Sequence, residues 1–258
     1  MIALPLLILL IGYANVAIFS GFVFLVLLLS LVEFNRMGLS CNYRFEQWFA
    51  AVLGALTVPL LATHHYSFLF PLCTGFFILS SLLFLFRFQT LDRVHHQFSW
   101  ILLGWFYLPL LLGHLIPLRQ LDHGQRWIFL ALMVIMVCDT FAYFVGSQFG
   151  KHKLYPAVSP NKSIEGALGG LVGSVLAVLL AKYSFMSFIG LTDGIMIGLL
   201  LGTAGQLGDL FESLLKRACK VKDSGTIIPG HGGLLDRLDS LLFAFPVVYY
   251  LARYGYGG

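Results

Sequence analysis

The stretch Gln125-Arg-Trp-Ile-Phe-Leu-Ala-Leu-Met-Val-Ile-Met-Val-Cys-Asp-Thr-Phe-Ala-Tyr-Phe-Val-Gly-Ser-Gln-Phe149 decides the class of protein. As a helix rising about 1.5 Å per residue it is long enough to cross the roughly 30 Å hydrocarbon core of a bilayer. From Trp127 to Phe149 it holds one charge, Asp139. Similar runs recur at residues 2–32, 45–63, 67–86, 98–116, 163–186, 192–215 and 238–254. The first is too long for one helix, and residues 12–15 are expected to break it into a short helix and a full one. The total is about nine helices. Of the 258 residues, 59% are hydrophobic and 11% charged. A soluble domain carries about 25% charged residues, so a water-facing surface could not be built from these. The expected fold class is therefore all-α, a polytopic integral membrane protein. Residues 1–258 read as a single transmembrane domain, with an apolar half over 1–120 and a motif-bearing half over 121–258.

The basic residues orient this layout. Twelve of the sixteen lysines and arginines fall on one set of alternate connections, and Arg119, Arg126, Lys182 and Arg253 fall on the other. The positive-inside rule places the richer set in the cytoplasm, which implies a multi-pass protein of the cell (inner or plasma) membrane. The apolar start has no basic segment before it and does not read as a cleaved signal peptide. The cysteines (Cys41, Cys73, Cys138, Cys219) are isolated, with no zinc or disulfide pattern. The net charge of +4 is small, and no nucleic-acid partner is expected. A homodimer is compatible with the sequence.

Polar chemistry enters from Asp139 onward: eight of the twelve acidic residues lie between Asp139 and Asp239. A carboxylate at membrane depth costs roughly 2.5–3.5 kcal/mol or more, so it persists when paired, metal-bound or facing water. Tyr143, Gly146 and Gly150 continue the Asp139 face at helical spacing. The bland reading is an interfacial, hydrogen-bonded carboxylate. The next connection, Ser159-Pro-Asn-Lys-Ser-Ile-Glu-Gly166, puts hydroxyls and Lys162 before a helix start near Ser163, a natural anion site. It also reads as an ordinary positive-inside loop. Gly166, Gly169, Gly170 and Gly173, and then Gly194, Gly198, Gly202 and Gly205, are stripes that let helices approach closely. The second stripe leads onto Asp209 and Glu212, two carboxylates on one face that suggest a metal site. Ser213, Lys216, Arg217, Lys222 and Asp223 follow, then Gly230-His-Gly-Gly233, Asp236, Arg237 and Asp239. Oxygen ligands beside basic residues are what Mg²⁺ with a polyphosphate requires.

Residues 213–239 resemble the signature of the phosphatidate cytidylyltransferases (CDP-diacylglycerol synthases): Ser, Lys-Arg, Lys-Asp, His-Gly-Gly and Asp-Arg-x-Asp all occur in register. Residues 139–146, 159–166 and 206–213 also fit that family, so the motifs cover the C-terminal half, and the first 120 residues match in hydropathy alone. The chain departs at Asn161, Ser163 and Ile164, where the usual family residues are Lys, Thr and Trp. The resemblance implies transfer of a cytidylyl group from CTP to phosphatidate, with CDP-diacylglycerol and pyrophosphate as products. It implies Asp209 and Asp236 as Mg²⁺ ligands. Asp139, Glu212 and Asp239 would be further ligands or groups that hold the ligands in place, around a second cation such as K⁺ where one is bound. Lys162, Lys216, Arg217, Lys222 and Arg237 would meet the triphosphate and the lipid phosphate, with His231 as a phosphate donor or loop organiser. Ser159, Ser163, Glu165, Ser213, Asp223, Gly232 and Gly233 complete the expected substrate-binding set. Rival readings are a nucleotidyltransferase or kinase for another lipid (polyprenyl or archaeal-type), an ion-coupled transporter with Asp139 and Asp209 as ion sites, and an inactive paralogue hinted at by Asn161.

Overall fold

A computed structural model describes residues 3–87, 91–227 and 232–256. The chain divides into two compact units, Met1–Pro117 with Asp223–Asp236, and Leu118–Lys222 with Arg237–Gly258. Among the described residues, seven helical segments are long and apolar enough to cross a membrane by length and composition: Val16–Gly38, Arg44–Ala62, Tyr66–Arg87, Leu91–Gln120, Gly124–Phe149, Ile164–Ser184 and Leu191–Ala218. The protein is an all-α, multi-pass membrane protein. Large apolar side chains such as Phe70, Phe86 and Leu180 stand exposed, which suits contact with lipid and not with water.

In the first unit, α1 (Ala3–Tyr13) and α2 (Val16–Gly38) part where the expected break lies. Asn15 caps α2, its side chain accepting from the Ile18 N–H at 2.8 Å. The α2 helix runs past residue 32, the expected end of the span. The polar tail Glu33-Phe-Asn35 remains helical because it is buried against partners: the Asn35 side chain donates to the Gln47 carbonyl at 3.0 Å. Helices α3 (Arg44–Ala55) and α4 (Thr57–Ala62) share one span, and α5 (Leu69–Arg87) follows. Helix α6 (Leu91–Leu112) starts seven residues before the expected 98. Its first turns are polar and exposed, and hydropathy marks where a helix turns apolar, not where it begins. Phe76 stacks on Trp105 at 4.8 Å, and Arg87 pairs with the buried Glu46 at 2.7 Å. Helix α7 (Leu115–Gln120) leads out of this unit.

The second unit holds α8 (Gly124–Phe149), α9 (Ile164–Ser184), α10 (Leu191–Ala218) and α11 (Asp239–Tyr250), the last continued by a π-helical turn over Leu251–Gly255. Between α8 and α9 an antiparallel hairpin forms from β1 (Lys153–Tyr155) and β2 (Ser159–Ser163). The all-α expectation did not include it. The glycine stripes sit at helix crossings, as their packing reading requires. A Cβ on Gly198 would lie 2.7 Å from the Val175 Cα, and one on Gly170 would lie 3.1 Å from the Cys138 carbonyl. At the far end, Tyr256 donates to Asp193 at 3.0 Å. Burial, then this bond, pushes the Tyr256 hydroxyl up to about 12.

Candidate active site

Four elements of the second unit enclose a pocket of about 550 Å³. Helix α8 contributes Asp139, Tyr143 and Gly146, spaced so that one face looks into the pocket. The hairpin contributes Asn161, Lys162 and Ser163; α9 contributes Gly166 and Ala167; α10 contributes Gln206 and Asp209. Ser163 ends β2 and caps α9, its Oγ accepting from the Gly166 N–H at 3.1 Å. The Ser cap fixes where the strand turns into helix, and so where the preceding Lys162 points.

The Lys162 ammonium lies 2.6 Å from Asp209 Oδ2, with both side chains partly open to solvent. Ser213 donates to the other Asp209 oxygen at 3.3 Å. Asp139, Asp209 and Asp239 are near enough to act on one another through space, as Lys162 does on Asp139 and Lys216 on Asp239. Asp239 Oδ1 also accepts from the Ser240 N–H at 2.7 Å. Among the described residues, no three His, Cys, Asp or Glu side chains converge closely enough to hold a metal by themselves. That donor set still fits Mg²⁺ held with a substrate, which uses one or two carboxylates and fills its shell with phosphate oxygens and water.

Other expected site residues support this pocket or stand apart from it. Glu165 clamps the base of the hairpin, accepting from the Lys151 and His152 N–H groups at 3.1 and 3.2 Å, with His152 Nδ1 at 2.6 Å. Arg217 donates to the Val158 carbonyl at 3.4 Å and the Val221 carbonyl at 3.1 Å, tying the hairpin to the end of α10. Glu212 is fully buried and pairs with Lys216 at 3.2 Å. Ser159 opens β2 opposite Tyr155, and Lys222 and Arg237 are exposed.

Asp236 belongs to the first unit and sits in a 3₁₀ turn, Leu235–Arg237, just before α11. Its carboxylate accepts from the Ser224 N–H at 2.9 Å and the Gly233 N–H at 2.8 Å. Gly232 turns the chain at φ +84°, a region glycine enters without strain. Asp223 is exposed. His231, with Pro229 and Gly230, lies outside the described residues.

Two residues were missed from sequence. Gln206 donates to the Ala167 carbonyl at 2.9 Å inside the pocket wall. Its signal was an amide one turn before Asp209 in an apolar span. Glu33, on α2, lies one residue past the expected end of the first span at 32 and was given no role. Its signal was an acid at the end of a membrane helix.

Gly166 sets how closely α8 and α9 approach at the pocket. A Cβ there would lie 2.8 Å from the Ala142 carbonyl oxygen and 3.1 Å from the Gly146 Cα. Both are backbone atoms, so no rotamer change relieves the contact. Gly166→Ala is expected to cost about 1–3 kcal/mol by overpacking and to widen the pocket. Gly75→Ala is the control, because nothing lies within 4 Å of a Cβ there. Thermal unfolding in detergent should separate the two variants; equal midpoints would remove the tight crossing from the account.

The sequence model of the Cytidylyltransferase family matches residues 1–254. A protein of Bacillus subtilis (strain 168) named phosphatidate cytidylyltransferase is 44% identical over 163 residues, 63% of this chain and 59% of that protein. Proteins of the same name from Staphylococcus saprophyticus and Staphylococcus aureus (strain COL) are 48% identical over 128 residues and 47% identical over 129. Each of these matches takes in 49% of this chain and 49% of the relative. The matched segments thus span about half to three-fifths of the length of these curated relatives. With the family match running nearly end to end, the chain belongs to the cytidylyltransferase family.

Proposed function

We propose that this chain transfers a cytidylyl group from CTP to phosphatidate, giving CDP-diacylglycerol and pyrophosphate, at the cytoplasmic face of a bacterial plasma membrane. The observation that carries the reading is the Lys162–Asp209 pair at 2.6 Å, in a pocket that also holds Asp139 and is walled by apolar helices. Such a pocket offers one partner to a nucleotide phosphate and another to a cation, with lipid-facing helices on either side.

In the reaction, a phosphatidate oxygen bonds to the α-phosphorus of CTP. The bond from that phosphorus to the oxygen bridging the β-phosphate breaks, and pyrophosphate leaves with that electron pair. The attacking phosphate is already ionised at neutral pH, so no general base is required. Positioning and charge neutralisation supply the rate. Lys162 would hold a phosphate, and the Ser163 cap and Glu165 clamp would keep the hairpin that carries it in place. One or two of the carboxylates Asp139, Asp209 and Asp239 would hold Mg²⁺, with phosphate oxygens and water filling the rest of its shell; the family resemblance gives Asp236 a part in the same reaction. When bound, Mg²⁺ would neutralise the charge that develops on the phosphate oxygens.

The test uses purified protein in detergent with MgCl₂ and CTP labelled at the α- or the γ-phosphate. Label from the α-position is expected in the lipid fraction with phosphatidate as acceptor, alongside released pyrophosphate. Transfer of γ-label would make the chain a lipid kinase instead. Transfer only to a polyprenyl phosphate, offered in parallel, would replace the acceptor. No transfer to any acceptor would remove the reading.

A further inference from the structure

One turn of α2, Glu33-Phe34-Asn35, is 2%, 0% and 1% exposed. Phe34 stacks on Trp100 of α6 at 4.5 Å, and Trp100 Nε1 donates to the Phe34 carbonyl at 2.9 Å. Asn35 is tied to α3 through the Gln47 carbonyl. This turn is thus gripped from two helices. On its remaining side Glu33 Oε2 accepts from the Leu235 N–H at 2.9 Å, across 202 residues of chain. Gly225 and Gly233 make the approach possible. A Cβ on Gly225 would lie 2.8 Å from the Glu33 Cδ, and one on Gly233 would lie 2.8 Å from Oε2. Leu235 is the immediate neighbour of Asp236, whose carboxylate is set by the N–H groups of Ser224 and Gly233. The segment that Glu33 grips is therefore the one that shapes the surroundings of Asp236.

We propose that Glu33 is a positioning residue for cytidylyl transfer: from a membrane helix of the N-terminal half, it anchors the chain at Gly225, Gly233 and Leu235 and fixes the placement of Asp236. The proposal rests on the function proposed above. A buried carboxylate in a membrane helix is costly and calls for a named partner. Here the partner is a backbone N–H, which a carboxylate holds more strongly than a neutral acceptor does. Glu33 touches neither substrate nor cation in this account; it acts through the loop.

The experiment compares wild type, Glu33→Leu and Glu33→Gln in the full chain. Amide hydrogen exchange is read first, with neither CTP nor Mg²⁺ present. Glu33→Leu is expected to raise exchange at the Leu235 amide about thirtyfold, with α8–α10 unchanged. Glu33→Gln keeps an oxygen acceptor and should raise it about threefold. Turnover is read second. A displaced Asp236 should lower kcat about 10²-fold in Glu33→Leu, with the smaller loss in Glu33→Gln and little change in the KM for CTP. Unchanged exchange at Leu235 in Glu33→Leu would overturn the proposal. So would raised exchange with wild-type kcat. If Glu33→Leu does not accumulate, Glu33→Gln carries the test, and wild-type exchange there overturns it. A wild type that turns over no CTP would sink the proposed function alone, because the exchange experiment still decides whether Glu33 holds the loop.

Discussion

Asp209→Asn is expected to lower cytidylyl transfer by about 10³-fold while the protein stays folded. The substitution keeps the side chain's shape and one oxygen, so the packing of α10 has no reason to change. What it removes is the negative charge facing Lys162 at 2.6 Å and accepting from Ser213 at 3.3 Å. The loss should fall on kcat, because charge at this point counts most while charge on the phosphates is moving. Lys162→Met should behave differently. It removes the group proposed to hold a phosphate before the reaction, so the KM for CTP should rise as well. The two side chains touch, so their effects should not add: the double variant is expected to be well short of the product of the two single losses. Steady-state rates with α-labelled CTP, with thermal unfolding as the control for folding, measure all of this. An Asp209→Asn enzyme within tenfold of wild type would take Asp209 out of the chemistry.

Local signals carried much of this site. Asp139, Tyr143 and Gly146 share a face because a helix repeats every 3.6 residues, and the structure turns that face into the pocket. Ser163 could be read as a helix start because its hydroxyl follows an extended segment, and it does cap α9. The hairpin was not legible, since strands built of Lys153-Leu-Tyr and Ser159-Pro-Asn-Lys-Ser have none of the β-branched pattern that marks a sheet. The Ser159–Gly166 segment therefore read as a loop, and Glu165 as a substrate contact instead of a clamp on that hairpin. The pairing of Glu33 was not legible for another reason. Its partner is Leu235, and no local pattern joins positions so far apart in the chain. Lys216 is the reverse case: its spacing from Glu212 was visible, but spacing does not tell a buried pair from a phosphate ligand.

That ambiguity gives the second large effect. Glu212 is 0% exposed and Lys216 9%, and their charged groups lie 3.2 Å apart on successive turns of α10. Removing one member of a buried pair costs about 3–5 kcal/mol, because the other charge keeps its desolvation penalty and loses this compensation. Glu212→Leu is therefore expected to destabilise the protein by about that amount in detergent unfolding. The joint substitution Glu212→Leu with Lys216→Met leaves neither charge of the pair in place, and most of the stability should return. Activity should not return with it. Lys216 also acts through space on Asp239, which lies among the carboxylates of the proposed site. Without the ammonium those carboxylates repel one another and an incoming triphosphate more strongly, so turnover should remain about 10²-fold below wild type. Stability and turnover recovering together would make the Glu212–Lys216 pair purely structural. Stability recovering alone would mean that one lysine both balances a buried acid and tunes the charge of the site.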